Sequence, residues 1–580
     1  MKSGKSAIAI AAVLVAAVLA DIFIGGDAPA EVFRLLRIPR AVTAAVSGAA
    51  LALAGAQMQA VFRNPLADPH IMGVSSGAGL GAAAVTLAGG AGAAAGLTIA
   101  VSAAAGALLT SLLVIYVSGK TGSADTLLIF GVMTGFAFSA ITAILQALAA
   151  PDSLKLFYSW SAGSFSHCGD TGTGIIIAAA AAGGVIAFRG AKGLDLLLFG
   201  DSFATLSGAS PKKIRWTALA SCCIVTGAVT AFCGPIGFVG IIAPHIARRL
   251  TGSAAHMDIL PVSLVAGAVL ALAADTIAQI PPSPLPAGST MAIIGIPAIL
   301  YIMVRTRNGG RSAQRFRMNG PDTDGQPVRP PRAEETAAEG YGLAAGRRRT
   351  LFSIRDLSIG YGDNVLCSDI SFDIKEGDCI LLCGANGSGK TTLLRTIAAT
   401  GNRRSGNIIM IPSGIPRVKG FTLEEFIRTG FFTQSDWKGR LSAEEEARIR
   451  QSLEEMGLQD LKDRDISALS DGEFQKGCIA SAICRKAEVI LLDEPAAFLD
   501  TENRLEILAG IDRVCKERGT AVIFSSHDIR EAAARCSRIA AIGADGCFRI
   551  SDTGCCVEEK IRIAGSIFRN KNTIFDVLTS

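Results

Sequence analysis

The chain has 580 residues, with 55 Lys and Arg against 50 Asp and Glu, giving a formal net charge of +5 at pH 7. So small an excess over this length makes no case for a nucleic-acid partner. A hydrophobic fraction of 50% with mean hydropathy +0.42 does not fit a chain that is water-soluble throughout. The charges are unevenly placed: residues 1–305 hold 27 of the 105, and residues 306–580 hold the other 78. The first stretch is rich in Ala, Gly, Leu, Ile and Val, with apolar runs long enough to cross a bilayer at about 20 residues each. The second has ordinary soluble composition and length for one α/β domain with its own core. The 14 cysteines form no C-x-x-C pair. They read as small buried hydrophobes kept reduced, not as disulfides or metal ligands.

The run Ala7–Ala20 after Met1-Lys-Ser-Gly-Lys has the outline of a signal peptide. It reads better as a first membrane helix, because many apolar segments follow it and no soluble secreted domain does. The pattern predicts about ten membrane helices, near 6–25, 41–62, 71–90, 93–118, 124–149, 172–189, 213–233, 236–250, 258–277 and 287–305. Gly and Ala are dense in all of them, and small residues let helix backbones approach where no hydrophobic effect drives association. Arg34, Arg37 and Arg40 follow the first helix and are expected to face outward, as interfacial anchors or as a cationic patch for an acidic partner. Residues 306–350, rich in Gly, Pro, Arg and Glu, read as a disordered tether.

Residues 384–391, Gly-Ala-Asn-Gly-Ser-Gly-Lys-Thr, complete the pattern G-x-x-x-x-G-K-S/T. An apolar strand, Cys379–Cys383, precedes it, and Thr392–Ile397 opens a helix. In that context Gly384, Asn386, Gly387, Ser388 and Gly389 form a loop whose N–H groups cradle phosphates. Lys390 reaches the β- and γ-phosphates of ATP, and Thr391 ligates Mg²⁺, with Thr392 beside it. An even helix count places both termini on the ATP side, the cytoplasm. Arg63, Lys120, Arg189, Lys192, Lys212, Lys213, Arg215, Arg248, Arg249, Arg305 and Arg307 then fall inside, as the positive-inside bias expects.

The first half resembles the FecCD-type permeases, which import iron–siderophore complexes, haem and vitamin B12. The resemblance rests on Arg37-Ile-Pro-Arg40, Gly48–Gln57, Arg63–Pro69, Gly73–Ala78, Gly234–Arg248, Leu285–Gly288 and Ile294–Pro297. It implies an all-α polytopic membrane domain over 1–305, a linker over 306–350, and a cytoplasmic coupling segment at Leu196–Gly208 that plugs into the ATPase. Gly200, Asp201, Ala204, Leu206 and Gly208 belong to that segment. The resemblance further implies that Arg37 and Arg40 pair with glutamates of a periplasmic binding protein. A third family arginine is expected after Asp275-Thr-Ile-Ala278, where this chain has Gln279, so weaker docking or a partner with altered charges is expected.

The second half resembles the ABC transporter ATPases, an α/β P-loop domain over 351–580. Tyr361 stands where that family stacks an aromatic on adenine. Ser470, Asp471, Gly472 and Glu473 stand in its signature motif, which caps ATP held by the opposite subunit. The apolar strand Val489–Leu492 ends in Asp493, expected to hold Mg²⁺ with Thr391, and in Glu494, expected to polarise the attacking water. Asp500 is the D-loop aspartate and His527 the γ-phosphate switch. Two departures stand out. Asp471 replaces a glycine and puts a carboxylate near triphosphate, which repels unless it faces away or meets a cation. No Q-loop glutamine is identifiable.

Together these readings describe a permease fused to its ATPase, two copies forming an inner-membrane importer in contact with lipid. ATP and Mg²⁺ are its cofactors, a periplasmic binding protein and a metal-chelate cargo its partners, and no nucleic acid is expected. Iron–siderophore leads as cargo, then haem and cobalamin. An exporter is disfavoured by the permease motifs. A degenerate regulatory ATPase is the alternative from a different class, supported only by Asp471 and the missing glutamine.

Overall fold

The computed structural model describes residues 3–24, 29–88, 96–121, 124–166, 168–281, 283–301, 348–361, 364–401, 407–497, 499–526, 528–543 and 546–565. The expected tether at 306–350 lies almost wholly outside them. The chain divides into two compact units, residues 1–198 with 210–323, and residues 199–209 with 324–580.

The first unit is all helical. In chain order come α1 (Ser3–Phe23), α2 (Ile38–Val61), α3 (Val74–Ala83), α4 (Gly96–Thr121), α5 (Ala124–Leu148), α6 (Pro151–Ser161) and α7 (Gly169–Leu198). After α8 (Asp201–Leu206), which belongs to the second unit, come α9 (Pro211–Cys233), α10 (Val239–Thr251), α11 (His256–Ala278) and α12 (Ala287–Tyr301). A helix forms at each of the ten expected places. Among the described residues, six spans are long and apolar enough to cross a membrane, with shorter apolar helices at Ala12–Phe23, Val74–Leu87 and Ala287–Tyr301.

Two boundaries differ from expectation. The span expected at 172–189 runs from Gly169 to Leu198, because Lys192 and Asp195 mark a change of surroundings and not a helix stop. Asp195 is held at the helix end by the N–H and Nδ1 of His256, 2.8 and 2.6 Å away. Pro151–Ser161, with Pro at its start, forms a helix that the apolar pattern did not outline.

Close backbone contact holds the helices together. A Cβ on Gly48 would lie 2.2 Å from the carbonyl oxygen of Gly267, and one on Gly55 would lie 1.9 Å from that of Gly240. Only glycine fits at such crossings. Outward faces are the reverse of a soluble fold, with Leu109, Phe136 and Leu148 exposed, as a lipid-facing surface requires.

The second unit opens with an antiparallel pair, β1 (Thr350–Tyr361) and β2 (Asn364–Lys375). Its main sheet contains β3 (Cys379–Gly384), β4 (Ile408–Ile411), β5 (Val489–Leu492), β6 (Ala521–Ser525), β7 (Arg538–Ile542) and β8 (Phe548–Ile550), in the order β4-β5-β6-β3-β7-β8. All pairings are parallel except β7 with β8. The β3–β6 strands are fully buried apolar runs, as a parallel sheet covered on both faces demands. Helices α13 (Lys390–Gly401), α14 (Leu423–Thr429), α15 (Ala443–Glu455), α16 (Asp471–Ile483), α17 (Thr501–Arg518), α18 (Ile529–Arg535) and α19 (Val557–Gly565) complete the unit. Parallel strands bring the ends of β3, β4, β5 and β6 to one edge, where ligands of open α/β sheets bind.

Candidate functional site

The loop leaving β3 turns through Gly387 at φ +80° and Gly389 at φ +100°, a region closed to side-chain-bearing residues. Gly384 is needed for room, since a Cβ there would lie 2.4 Å from Ser388 Oγ. Asn386 and Gly387 are exposed at the loop tip. Lys390 starts α13, with Thr391 and Thr392 following in the first turn. Its ammonium donates to the loop's own carbonyl oxygens, Gly384 at 2.8 Å and Ala385 at 3.1 Å. Burial pushes this ammonium below the usual lysine range, against the pull of Glu494 and Asp493. Ser388 Oγ is buried with no hydrogen-bond partner. Lys390 and the Ser388 hydroxyl are thus gathered at the loop, donors of the kind that bind phosphate.

Across the sheet edge, Thr391 Oγ1 donates to Asp493 Oδ2 at 2.9 Å and lies 3.1 Å from Oδ1. A hydroxyl and a carboxylate are the hard oxygen donors that Mg²⁺ takes, so the pair fits the metal expected there. Glu494 follows at φ +50°, a strained conformation for a non-glycine and a frequent mark of a working site. Its N–H is held by Ser525 Oγ at 2.8 Å, and the same hydroxyl donates to Asp493 Oδ1 at 3.0 Å. Ser525 at the end of β6 therefore orients the Asp493 carboxylate and fixes the Glu494 backbone, a role no local motif announced. Ser413, two residues beyond β4, lies 3.5 Å from Asp493 Oδ2. It stands at the strand end where the sequence offered no glutamine.

The signature residues open α16. Ser470 caps the helix: its hydroxyl accepts from Glu473 N–H at 3.2 Å, while Glu473 Oε2 accepts from Ser470 N–H at 2.7 Å. Burial works upward on Glu473, but the hydrogen bonds from Ser470 hold its carboxyl below the usual range. A Cβ on Gly472 would strike Asn503 Oδ1 at 2.5 Å. Asn503 is fixed by Asp500, which caps α17 through Asn503 N–H at 2.8 Å and Nδ2 at 2.9 Å. Asp471 does meet a cation: it pairs with Arg417. Tyr361 ends β1, its backbone paired with Asn364, and its side chain lies outside the described residues. His527 lies outside them as well.

Phe199–Ala209 forms part of this same unit. Gly200 at φ +99° turns the chain into α8 (Asp201–Leu206), and Gly208 at φ +84° turns it out. Ala204 is fully buried, and Leu206 packs on the sheet core. Phe199 meets Phe421 and Phe426 with ring centroids 5.1 and 5.3 Å apart, and Phe203 stacks on Phe426 at 5.6 Å. Asp201 begins the helix at its positive end, where a carboxylate is favoured.

In the first unit, the Arg40 side chain is 11% exposed and pairs with two carboxylates. Its Nε lies 2.7 Å from Asp275 Oδ2, and Nη2 lies 3.7 Å from Asp21 Oδ2 while donating to the Asp21 carbonyl at 3.1 Å. Two carboxylates that are 0% and 2% exposed need a cation inside, and Arg40 supplies it. Arg37 lies over the Phe33 ring at 4.6 Å and donates to the Ile22 carbonyl at 3.2 Å.

Comparison with known proteins agrees with this division. Residues 3–305 match the profile of the FecCD transport family, and residues 367–497 match that of the ABC transporter family. An uncharacterised ABC transporter permease protein of Bacillus subtilis, YvrB, is 34% identical over 297 residues, 50% of this chain and 84% of that protein. The Fe(3+) dicitrate transport system permease protein FecD of Escherichia coli is 34% identical, covering 47% of this chain and 84% of its own length. The iron(3+)-hydroxamate import ATP-binding protein FhuC of B. subtilis matches the other half, 34% identical over 31% of this chain and 74% of FhuC.

Proposed function

Because the chain belongs to the FecCD transport family and carries an ABC transporter ATPase domain on the same multi-pass polypeptide, we propose that two copies form an ATP-driven importer of a metal chelate, iron(III)–siderophore first among the candidates. The observation that carries this reading is the assembly of Lys390, Thr391, Asp493 and Glu494 at one sheet edge, in a chain whose other half is a FecCD permease. The fusion supplies permease and ATPase in fixed ratio, and the tether keeps each ATPase at high local concentration beside its own membrane half.

The chain's residues divide the work. The loop N–H groups and Lys390 bind the triphosphate, with phosphate oxygens replacing the Gly384 and Ala385 carbonyls around the ammonium. Thr391 and Asp493 would hold Mg²⁺, which neutralises charge building on the leaving phosphate oxygens. Glu494, its backbone N–H held by Ser525, orients the attacking water and accepts its proton. Ser470 and Gly472 complete the site of the opposite copy. The segment 199–209 carries ATPase movement to the helices. The transporter sits in the inner membrane with its ATPase in the cytoplasm and receives cargo from a periplasmic binding protein at the surface bearing Arg37.

The test is uptake of radiolabelled ferric siderophore into proteoliposomes holding the full chain and its binding protein, with K390A as control. ATP-dependent uptake abolished by K390A is the expected result. Uptake of haem or cobalamin but not ferric siderophore would reassign the cargo, and ATP turnover without uptake of any of them would favour a regulatory ATPase.

A further inference from the structure

The acidic residue in the signature loop has a dedicated counter-charge drawn from elsewhere in the sequence. Arg417 follows β4 and makes three contacts, all to one loop and the first turn beyond it. Nη2 pairs with Asp471 Oδ1, Nη1 donates to the Leu469 carbonyl at 2.8 Å, and the guanidinium lies 5.0 Å from the Phe474 ring centroid. Arg417 and Asp471 lie 54 positions apart.

Fold stability does not account for the pair. The Arg417 and Asp471 side chains are 27% and 44% exposed, and an ion pair so open to solvent is worth about 0–1 kcal/mol. The electrostatics of the loop accounts for it better. A helix start offers roughly half a positive charge to an anion. Asp471, the first residue of α16, cancels that and leaves the loop net negative. Arg417 offsets the charge that Asp471 adds. The guanidinium has room to adjust, because a cavity of 210 Å³ adjoins it, lined among others by Ile415, Pro495 and Leu499.

We propose that Arg417 is the positioning residue that allows this signature loop to carry Asp471 and still accept the triphosphate held by a second copy of the chain. It acts through Asp471, by holding and neutralising the carboxylate. The proposal rests on the two-copy reading given above. It also makes the segment 412–417 a bridge: Ser413 abuts the metal-binding carboxylate Asp493 of its own site, while Arg417 holds the loop that serves the other.

The test uses the full chain in nanodiscs, with R417A, R417K, D471G and the double variant R417A/D471G. ATP turnover gives KM and kcat, and melting temperature gives stability. In the unmodified background R417A raises the KM for ATP about tenfold, with a smaller loss of kcat, and R417K about threefold, the charge being kept and the fork lost. D471G lowers the KM about twofold, and in that background R417A changes it less than twofold. Melting temperatures stay within about 2 °C of one another, as for a surface pair. An equal KM rise from R417A in both backgrounds, or a loss that follows the melting temperature, would overturn the proposal. The two-copy reading fails separately, and takes this proposal with it, if ATP drives neither turnover nor closure of the two ATPase domains (read by inter-domain cross-linking) in the unmodified chain.

Discussion

Thr391 and Asp493, 102 positions apart, share a hydrogen bond of 2.9 Å that joins the start of α13 to the end of β5, across the intervening strand β6. The hydroxyl and the carboxylate meet where a divalent cation would bridge them. D493N removes the anionic ligand, and the Mg²⁺ concentration for half-maximal ATP turnover should rise at least about tenfold. T391A should raise it less. A titration of turnover against free Mg²⁺ checks both, and an unshifted midpoint in D493N would remove it from the metal site.

Glu494 has its backbone at φ +50°, with its N–H held by Ser525 Oγ. E494Q should keep ATP binding and lower kcat by about 10²–10⁴, the range a positioned general base contributes. S525A should lose less, since the water still meets a carboxylate, but one less well aimed. Single-turnover hydrolysis with labelled ATP separates the two.

The crossing of α2 with α11 tolerates no side chain at Gly48, where a Cβ would lie 2.2 Å from the Gly267 carbonyl oxygen. G48V should force the helices apart and lower stability by about 1–3 kcal/mol, a packing loss of the size that overfilled contacts cause. Thermal unfolding in detergent, followed by light scattering, measures it. G190A, at an open position with nothing within 4 Å, is the control and should be neutral.

Arg40 separates anchoring from docking. Its removal leaves two buried carboxylates without their cation, a loss of about 3–5 kcal/mol. R40A should therefore lower expression and melting temperature with no binding protein present. R40A combined with D275N should recover part of the loss. R37E, in the same region, should slow association of the binding protein, and the effect should fade with salt. Stopped-flow association at two ionic strengths reads the second effect independently of the first.

Cys555 donates its thiol proton to Glu559 Oε2 at 2.6 Å, and that hydrogen bond to a carboxylate pushes the thiol up to about 11. The thiolate is the nucleophile. At pH 8 alkylation of Cys555 should lag that of exposed Cys547 and Cys556 by at least about tenfold, and the lag should close as pH rises through 11. E559Q should bring Cys555 level with its neighbours at pH 8. Peptide mass spectrometry after timed iodoacetamide labelling reads each site.

What the sequence made legible was what is local. The phosphate loop is eight consecutive residues, and its glycines stand where the backbone needs positive φ or space. Apolar runs marked the membrane helices because lipid imposes length and composition on each helix alone. What stayed hidden depends on distant partners. Nothing near Arg417 points to Asp471, and the charge of Arg40 indicates a side of the membrane but not the two carboxylates that pair with it. Ser413 escaped notice because β4 has only four residues and serine has no fixed signature. The span expected at 172–189 continues to Leu198, because polar Lys192 and Asp195 end an apolar run without ending a helix.

The aromatic cluster of Phe199, Phe203, Phe421 and Phe426 also bears on how the protein is made. Two of its rings come from a stretch synthesised more than 200 residues before the other two. A ribosome releasing the C-terminal half produces a domain whose core waits for α8, already delivered with the membrane helices. Until α8 docks, Phe421 and Phe426, now 1% and 0% exposed, stand open to water and to aggregation. Membrane insertion thus becomes a precondition for a finished ATPase, and a C-terminal half made alone should depend on chaperones that the intact polypeptide does not need.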